Sequence, residues 1–227
     1  MNRKKTGLSR RDVVKVGATS ALAGVILPQV HAGEANTIKL ALVGCGGRGT
    51  GAAGNAMSTR SGPIQLVAMA DVFKNRLDNS YGGLQGRFAN KMDIPNDRKY
   101  VGFDAYQKAM DALRPGDIVI LATPPAFRWL HFKYALDKNL NVFMEKPVAV
   151  DGASVKKFLV QCERSERMGT KVGVGLMCRH CDARRELWDR VQGGAIGDVI
   201  TMRAYRQAGP TATAFSEPRP QGISELA

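Results

Sequence analysis

Two features with chemistry in them stand close together near the start of this sequence. One is the hexapeptide Gly44-Cys45-Gly46-Gly47-Arg48-Gly49, which fits G-x-G-x-x-G; the other is Asp71, 22 residues after Gly49. Each part has a physical use in holding a dinucleotide. Gly44 permits a tight turn, Gly46 lets the backbone approach a pyrophosphate, and Gly49 lets a helix pack close to a strand. Gly47 lies between them, and Arg48 is placed to reach a phosphate. The N–H groups and positive dipole end of a helix opening here would carry the pyrophosphate charge. A carboxylate at Asp71 can accept hydrogen bonds from ribose hydroxyls. It would also repel a 2′-phosphate, which favours NAD over NADP; Lys74 and Arg76 lie just beyond and soften that preference.

The motif means something only in the right elements, and these are present. Ile38 to Val43 is an apolar run that reads as a buried strand, Thr50 to Met57 can open a helix, and Ile64 to Ala70 is a second apolar run ending on Asp71. That is a complete βαβ unit. The alternation continues. Phe73 to Lys91 reads as a helix weakened by Gly82, Gly83 and Gly86, and Ile94 to Arg98 as a loop. Tyr100 to Phe103 is a short strand, and Asp104 a cap for a helix to about Leu113. Asp117 to Ala122 has the apolar core of a strand buried on both faces. A helix from Phe127 to Lys138, a strand from Asn141 to Met144, a helix capped by Asp151 and running to Met168, and a strand from Lys171 to Leu176 follow. Ala183 to Gln192 is helical, and Val199 to Arg206 alternates enough to be a strand. The fold class expected is α/β, a Rossmann-type doubly wound parallel sheet.

The charge distribution narrows the partners. The 33 Lys and Arg exceed the 20 Asp and Glu by 13. Residues 1–32 hold six of the basic residues against Asp12 alone, so a local excess of 5 leaves 8 for the rest of the chain. No dense basic block interleaves with aromatics, so there is no nucleic-acid footprint. The four cysteines include Cys178-Arg179-His180-Cys181, but a zinc site needs a second pair of ligands at suitable spacing, so no metal is expected. At the N-terminus, Ser9-Arg10-Arg11-Asp12-Val13-Val14-Lys15 resembles the twin-arginine export motif. An uncharged run from Val16 to Leu27 and an A-x-A-like Val30-His31-Ala32 follow it. Residues 1–32 are therefore expected to be a signal peptide, with a periplasmic destination and no membrane segment once it is cleaved. Twin-arginine export moves folded proteins, which suits a chain that loads its cofactor first.

The motifs taken in order resemble the glucose-fructose oxidoreductase and inositol 2-dehydrogenase (Gfo/Idh/MocA) family. They are Val43 to Gly49, Ala70-Asp71, Ala122-Thr123-Pro124-Pro125, and Glu145-Lys146-Pro147, then a strand followed by Arg179-His180. The resemblance covers Thr37 to Tyr205 and implies an NAD- or NADP-binding domain over 37–150. Residues 151–227 would then hold the closing Rossmann elements and the start of a second α/β domain, which in the family binds a sugar or polyol and mediates oligomerisation. By position, Gly44, Gly46 and Gly49 would hold the pyrophosphate and Asp71 the adenosine ribose. Thr123 and Pro124 would line the pocket near the nicotinamide ribose, and Glu145 and Lys146 would lie beside the nicotinamide. Lys146 is the implied catalytic residue: hydride transfer from an alcohol carbon needs the hydroxyl proton taken or the developing alkoxide stabilised, and a Lys can do either. Arg179 and His180 would face the substrate.

The resemblance also sets a limit. The family draws an Asp and a His, spaced D-x-x-x-H, from its second domain. The three histidines here, His31, His131 and His180, do not supply that motif, and His131 reads as structural. The expectation is a chain truncated in the second domain. Its function is then NAD(P)-dependent oxidation of a sugar or polyol hydroxyl, with a non-catalytic dinucleotide-binding fragment or an NAD-dependent glycosidase as alternatives.

Overall fold

The structure, a computed structural model, describes residues 37–205 and residue 207. The expected signal peptide lies outside the described residues, as does Arg206. The chain divides into two compact units at Leu176/Met177.

The first unit is a single parallel sheet wrapped on both faces. Its strands are β1 (Ile38–Val43), β2 (Ile64–Asp71), β3 (Lys99–Val101), β4 (Ile118–Leu121), β5 (Asn141–Met144) and β6 (Val172–Val174), in the order β3-β2-β1-β4-β5-β6. All five pairings are parallel. This is the strand order of the doubly wound dinucleotide fold, with its topological switch point between β1 and β4. The helices are α1 (Gly47–Met57), α2 (Lys74–Phe88), α3 (Ala105–Asp111), α4 (Arg128–Asp137) and α5 (Gly152–Met168).

Side-chain alternation along the strands divides the core in two. Leu40 and Leu42 of β1, with Ile120 of β4, face α1 and α2, where they meet Ala53, Met57, Leu77 and Leu84. Ala41, Val43, Val119 and Leu121 face the other way, onto Ala109, Met110, Phe132, Ala135 and Phe158 of α3, α4 and α5. Strand β2 keeps this pattern only through a bulge. Leu40 pairs with Leu66 but Ala41 pairs with Ala68, so Val67 is an extra residue. The bulge puts Leu66 and Met69 on one face and Ala68 and Ala70 on the other.

Local chemistry explains most element ends, and several expectations need correction. Helix α2 continues through Gly82, Gly83 and Gly86. A Cβ at any of the three would meet nothing within 4 Å, and buried Leu77, Ser80 and Leu84 hold the helix to the sheet in spite of the glycines. The strand expected at Tyr100 to Phe103 is Lys99–Val101, because Gly102 leaves extended geometry with φ 128°. The following helix stops at Asp111, and Asp104 does not cap it; the Asp104 backbone is already helical and its carboxylate pairs with Lys108 at 2.7 Å. Asp151 does cap α5, accepting from the Ser154 N–H at 2.6 Å. The strand expected over Lys171 to Leu176 is confined to Val172–Val174.

The second unit contains one helix among the described residues, α6 (Asp182–Gln192), with Asp182–Arg185 and Glu186–Arg190 ion pairs along its surface. The strand expected at Val199 to Arg206 is absent over the described residues 199–205. Alternation alone does not make a strand: among the described residues no neighbour takes its N–H and C=O groups, so the segment has no ladder to join there. No helix among the described residues is long and apolar enough to cross a membrane.

Candidate functional site

The cofactor-binding residues and Lys146 singled out from sequence come from four places in the first unit, and the sheet brings them to one edge. Strands β1, β2, β4 and β5 all end at the same carboxyl edge, and Gly44, Asp71, Thr123 and Glu145 stand at or just beyond those ends. In an open α/β sheet this edge, at the switch point, is where a crevice opens.

The glycine loop is built for close approaches. Gly44 has φ 98°, and a Cβ there would lie 2.6 Å from the Thr123 nitrogen. A Cβ on Gly49 would lie 1.9 Å from the Gly44 carbonyl oxygen. Beyond Gly46 and Gly47 the opposite holds, with nothing within 4 Å of a notional Cβ. The loop is thus tight against the protein on one side and open on the other. No side chain caps α1, so its first-turn amides are left for a ligand or water. A concave, glycine-lined backbone ending in free helix amides fits a dinucleotide pyrophosphate.

Asp71 ties this loop to β2. Its Oδ2 accepts the Cys45 N–H at 2.6 Å and its Oδ1 accepts the Phe73 N–H at 2.9 Å. The half-buried carboxylate still has lone pairs for ribose hydroxyls. Cys45 itself is buried and gives its Sγ–H to the Ala70 carbonyl at 3.4 Å. Burial, and then the Asp71 charge, push its thiol far above the ordinary range, which makes it inert packing. Lys74 pairs with Asp78 at 2.5 Å, and the Arg76 guanidinium lies over the Phe73 ring at 5.0 Å.

On the other side of the switch point the organising group is one that sequence reasoning missed. Arg128, at the start of α4, is 1% exposed. Its Nη2 donates to the Thr123 carbonyl at 2.7 Å and its Nη1 to the Glu145 carbonyl, while Nε has no partner. It therefore joins the loop after β4 to the end of β5. Burial pulls the Arg128 pKa down to about 10, against the opposing pull of Glu145. His131 follows one turn later, with its Nδ1 3.1 Å from the Thr123 Oγ1 and its ring stacked 4.2 Å from Tyr106. Burial, and secondarily the Arg128 charge, hold His131 at about pKa 4, so it is neutral near pH 7. A signal for both was present in the sequence. Arg128, His131, Phe132, Ala135 and Leu136 are the buried residues of α4 and follow i, i+3, i+4, i+7, i+8. Two polar residues on an apolar stripe mark a buried polar network.

Glu145 is 5% exposed. Its Oε1 lies 2.6 Å from the Arg48 Nη2 as an ion pair, and this carboxylate raises the Arg48 pKa. Gly175, just past β6, leaves room for this carboxylate: a Cβ there would stand 2.6 Å from Oε2. Lys146 and Pro124 are exposed, and the Lys146–Pro147 peptide is cis. Among the described residues Lys146 has no ion-pair partner, and nothing buries its ammonium. Arg179 and His180 fall in the second unit, where both are exposed. No group of three or more His, Cys, Asp or Glu side chains is gathered among the described residues, and all four cysteines are free.

Comparison with known proteins places this arrangement. Residues 38–175 match the family described as "Oxidoreductase family, NAD-binding Rossmann fold" (GFO_IDH_MocA). D-glucoside 3-dehydrogenase of Escherichia coli (strain K12) is 27% identical over 109 residues, which are 47% of this chain and 30% of that protein. Among solved structures, myo-inositol 2-dehydrogenase from Lactobacillus plantarum superposes with a TM-score of 0.57 at 21% identity, covering 72% of this chain and 43% of that one. Scyllo-inositol dehydrogenase from Lactobacillus casei, with NAD(H) and scyllo-inositol bound, superposes with a TM-score of 0.53 at 23% identity, covering 71% and 43%. The chain thus spans less than half the length of these relatives. Because the family match takes in the glycine loop, Asp71, Thr123 and Glu145 on a single Rossmann sheet, the chain belongs to the Gfo/Idh/MocA family of NAD-binding oxidoreductases.

Proposed function

We propose that this chain provides the cofactor domain of an NAD-dependent oxidoreductase acting on a sugar or polyol hydroxyl. The observation that carries this reading is the gathering of the open glycine loop, Asp71 and the Glu145-Lys146 pair at one edge of the sheet. The nicotinamide cofactor, when bound, supplies a hydride acceptor. The chain's own residues supply the rest. The first-turn amides of α1 and Gly46 hold the pyrophosphate, and Arg48 is close enough to share in that charge. Asp71 accepts from the adenosine ribose and disfavours a 2′-phosphate. Of the two cations just beyond it in sequence, Lys74 is paired with Asp78 and Arg76 lies over the Phe73 ring.

Thr123 and Pro124 line the far half of the crevice. Lys146, exposed at its edge, takes the hydroxyl proton or holds the developing alkoxide. A substrate closing over it would exclude solvent from the reacting hydroxyl. Support for a polyhydroxyl substrate comes from the inositol and glucoside dehydrogenases to which the chain is similar. Arg179 and His180 are kept as candidate substrate contacts. Export by the twin-arginine route to the periplasm rests on Ser9-Arg10-Arg11 and the uncharged run after it.

The test is titration with NAD and NADP, followed by NADH production with a panel of inositols and free sugars. The expected result is tighter binding of NAD and turnover with at least one polyol. Lys146→Met should lower kcat by at least about 100-fold with little change in NAD affinity. Binding with no turnover across the panel would leave a dinucleotide-binding module, and absence of binding at millimolar concentrations would refute the assignment.

A further inference from the structure

Glu145 is the one carboxylate at the carboxyl edge of β5 that is buried, and its surroundings are unusual. It is 5% exposed, its Oε1 accepts no hydrogen bond, and its only ion-pair partner among the described residues is the half-exposed Arg48 at 2.6 Å. The fold reserves space for it through Gly175. A buried carboxylate so poorly hydrogen-bonded depends on a nearby cation.

That cation comes from a residue with a competing demand. Arg48 rises from the first turn of α1, the end of the helix that attracts anions. A pyrophosphate placed there would pull the Arg48 guanidinium away from Glu145. The order of strands fixes what lies at the other end of the same ligand. Asp71 on β2 takes the adenosine side, the loop after β1 takes the pyrophosphate, and the nicotinamide half must extend over β4 and β5. Glu145 is on that side. Lys146, next in sequence, makes no ion pair with it.

We propose that Glu145 makes the crevice discriminate between oxidation states of the dinucleotide, favouring the cationic nicotinamide of NAD⁺ over the neutral ring of NADH. This rests on the dinucleotide-binding reading above. In the free chain Arg48 neutralises the carboxylate. With dinucleotide bound, Arg48 serves the pyrophosphate and the oxidised ring replaces it beside Glu145. Reduction of the ring by hydride, two electrons and a proton, would remove that positive charge and leave the carboxylate facing only the Arg128 guanidinium, whose Nη atoms are already committed to the Thr123 and Glu145 carbonyls. Glu145 thereby weakens the hold on NADH and promotes its release after turnover.

The experiment measures equilibrium affinities of the full chain for NAD⁺, NADH and ADP-ribose, the last lacking the nicotinamide. The unmodified protein should bind NAD⁺ more tightly than NADH. An opposite charge at this range moves such an equilibrium by about tenfold or more, so Glu145→Gln should narrow the NAD⁺-to-NADH preference by about that factor. It should leave ADP-ribose affinity equal or higher, because Arg48 is released to the pyrophosphate. Arg48→Met should weaken all three ligands together without altering the ratio. An unchanged ratio in Glu145→Gln that still binds ADP-ribose would overturn the proposal. So would equal NAD⁺ and NADH affinities in the unmodified protein, a result that needs no variant to fold. Failure of the unmodified protein to bind ADP-ribose would instead refute the dinucleotide reading beneath it.

Discussion

A Cβ on Gly49 would stand 1.9 Å from the carbonyl oxygen of Gly44, so the start of α1 and the end of β1 touch backbone to backbone. No rotamer relieves such a clash; the helix must move. Gly49→Ala should therefore lower stability by about 1–3 kcal/mol, the usual cost of overpacking, read as a fall in denaturant midpoint with unchanged slope. Gly46→Val gives the contrasting outcome. A side chain there points into open space, so the fold should persist while dinucleotide affinity is lost. Equal loss of stability from both substitutions would show that the loop is only a packing device.

Arg128 links two loops that the sequence keeps 22 residues apart, at Thr123 and Glu145. Replacing it with Met would keep much of the volume and orphan both carbonyls, each worth about 1–3 kcal/mol when buried. The expected loss is about 2–5 kcal/mol in thermal or denaturant unfolding, with weakened cofactor affinity because Thr123 and Glu145 no longer hold their spacing. Arg128→Lys should recover only part of this, since a single ammonium on a shorter reach cannot serve two carbonyls as a planar guanidinium does. Full recovery by Lys would argue that charge, and not the forked geometry, matters at this position.

The parts of the site that came through in the sequence are those that depend on local pattern. A strand, three glycines at fixed offsets, a helix and an acid were readable because every one of them lies within Ile38 to Asp71. Strand β5 and the Asp151 cap were legible for the same reason. What escaped depends on contacts between distant segments. Glu145 beside Arg48, Gly175 beneath Glu145, and Arg128 between two carbonyls are tertiary relationships with no sequence spacing to announce them. Asp104 shows the converse error. Its residue type suits a cap, but Lys108 one turn on takes its carboxylate. The alternation of Val199 to Tyr205 is a true pattern, but it pairs with no strand among the described residues.

Asp71 ties the glycine loop to β2 and is proposed to meet the adenosine ribose, and a pair of substitutions separates the two roles. Its oxygens hold the Cys45 and Phe73 N–H groups at 2.6 and 2.9 Å, and the same carboxylate would meet the adenosine ribose. Asp71→Asn keeps one acceptor oxygen and removes the charge. It should narrow the preference for NAD over NADP by about tenfold, the scale of one removed charge repulsion, with a small stability loss. Asp71→Ala should weaken NAD as well, because the glycine loop loses its tether. Competitive titration with the two dinucleotides checks this, and a ratio that does not move in either variant would remove Asp71 from the ribose site.

His131 gives the site a defined acid sensitivity. Its pKa is about 4 in the folded chain, against an ordinary 6.5, because burial and then the Arg128 charge disfavour the cation. The groups packed on it are the Thr123 hydroxyl, the neighbouring Arg128 guanidinium, and the Tyr106 and Phe127 rings. Between pH 6.5 and 4 the unfolded chain takes up a proton that the folded chain refuses. Stability must therefore fall as pH is lowered through this window, by up to about 1.4 kcal/mol per pH unit, and this contribution stops changing below about pH 4. The carboxylates held low by their partners, such as Asp137 beside Lys133 and Arg164, begin to cost stability only at more acidic pH. His131→Gln stays neutral throughout and can still bond the Thr123 hydroxyl. Its stability should be flatter than that of the unmodified protein between pH 6.5 and 4.5, read from denaturant midpoints at half-unit intervals. Parallel curves would mean that the histidine is protonated in the folded state, and the stacking against Tyr106 would then have to accommodate a cation next to Arg128.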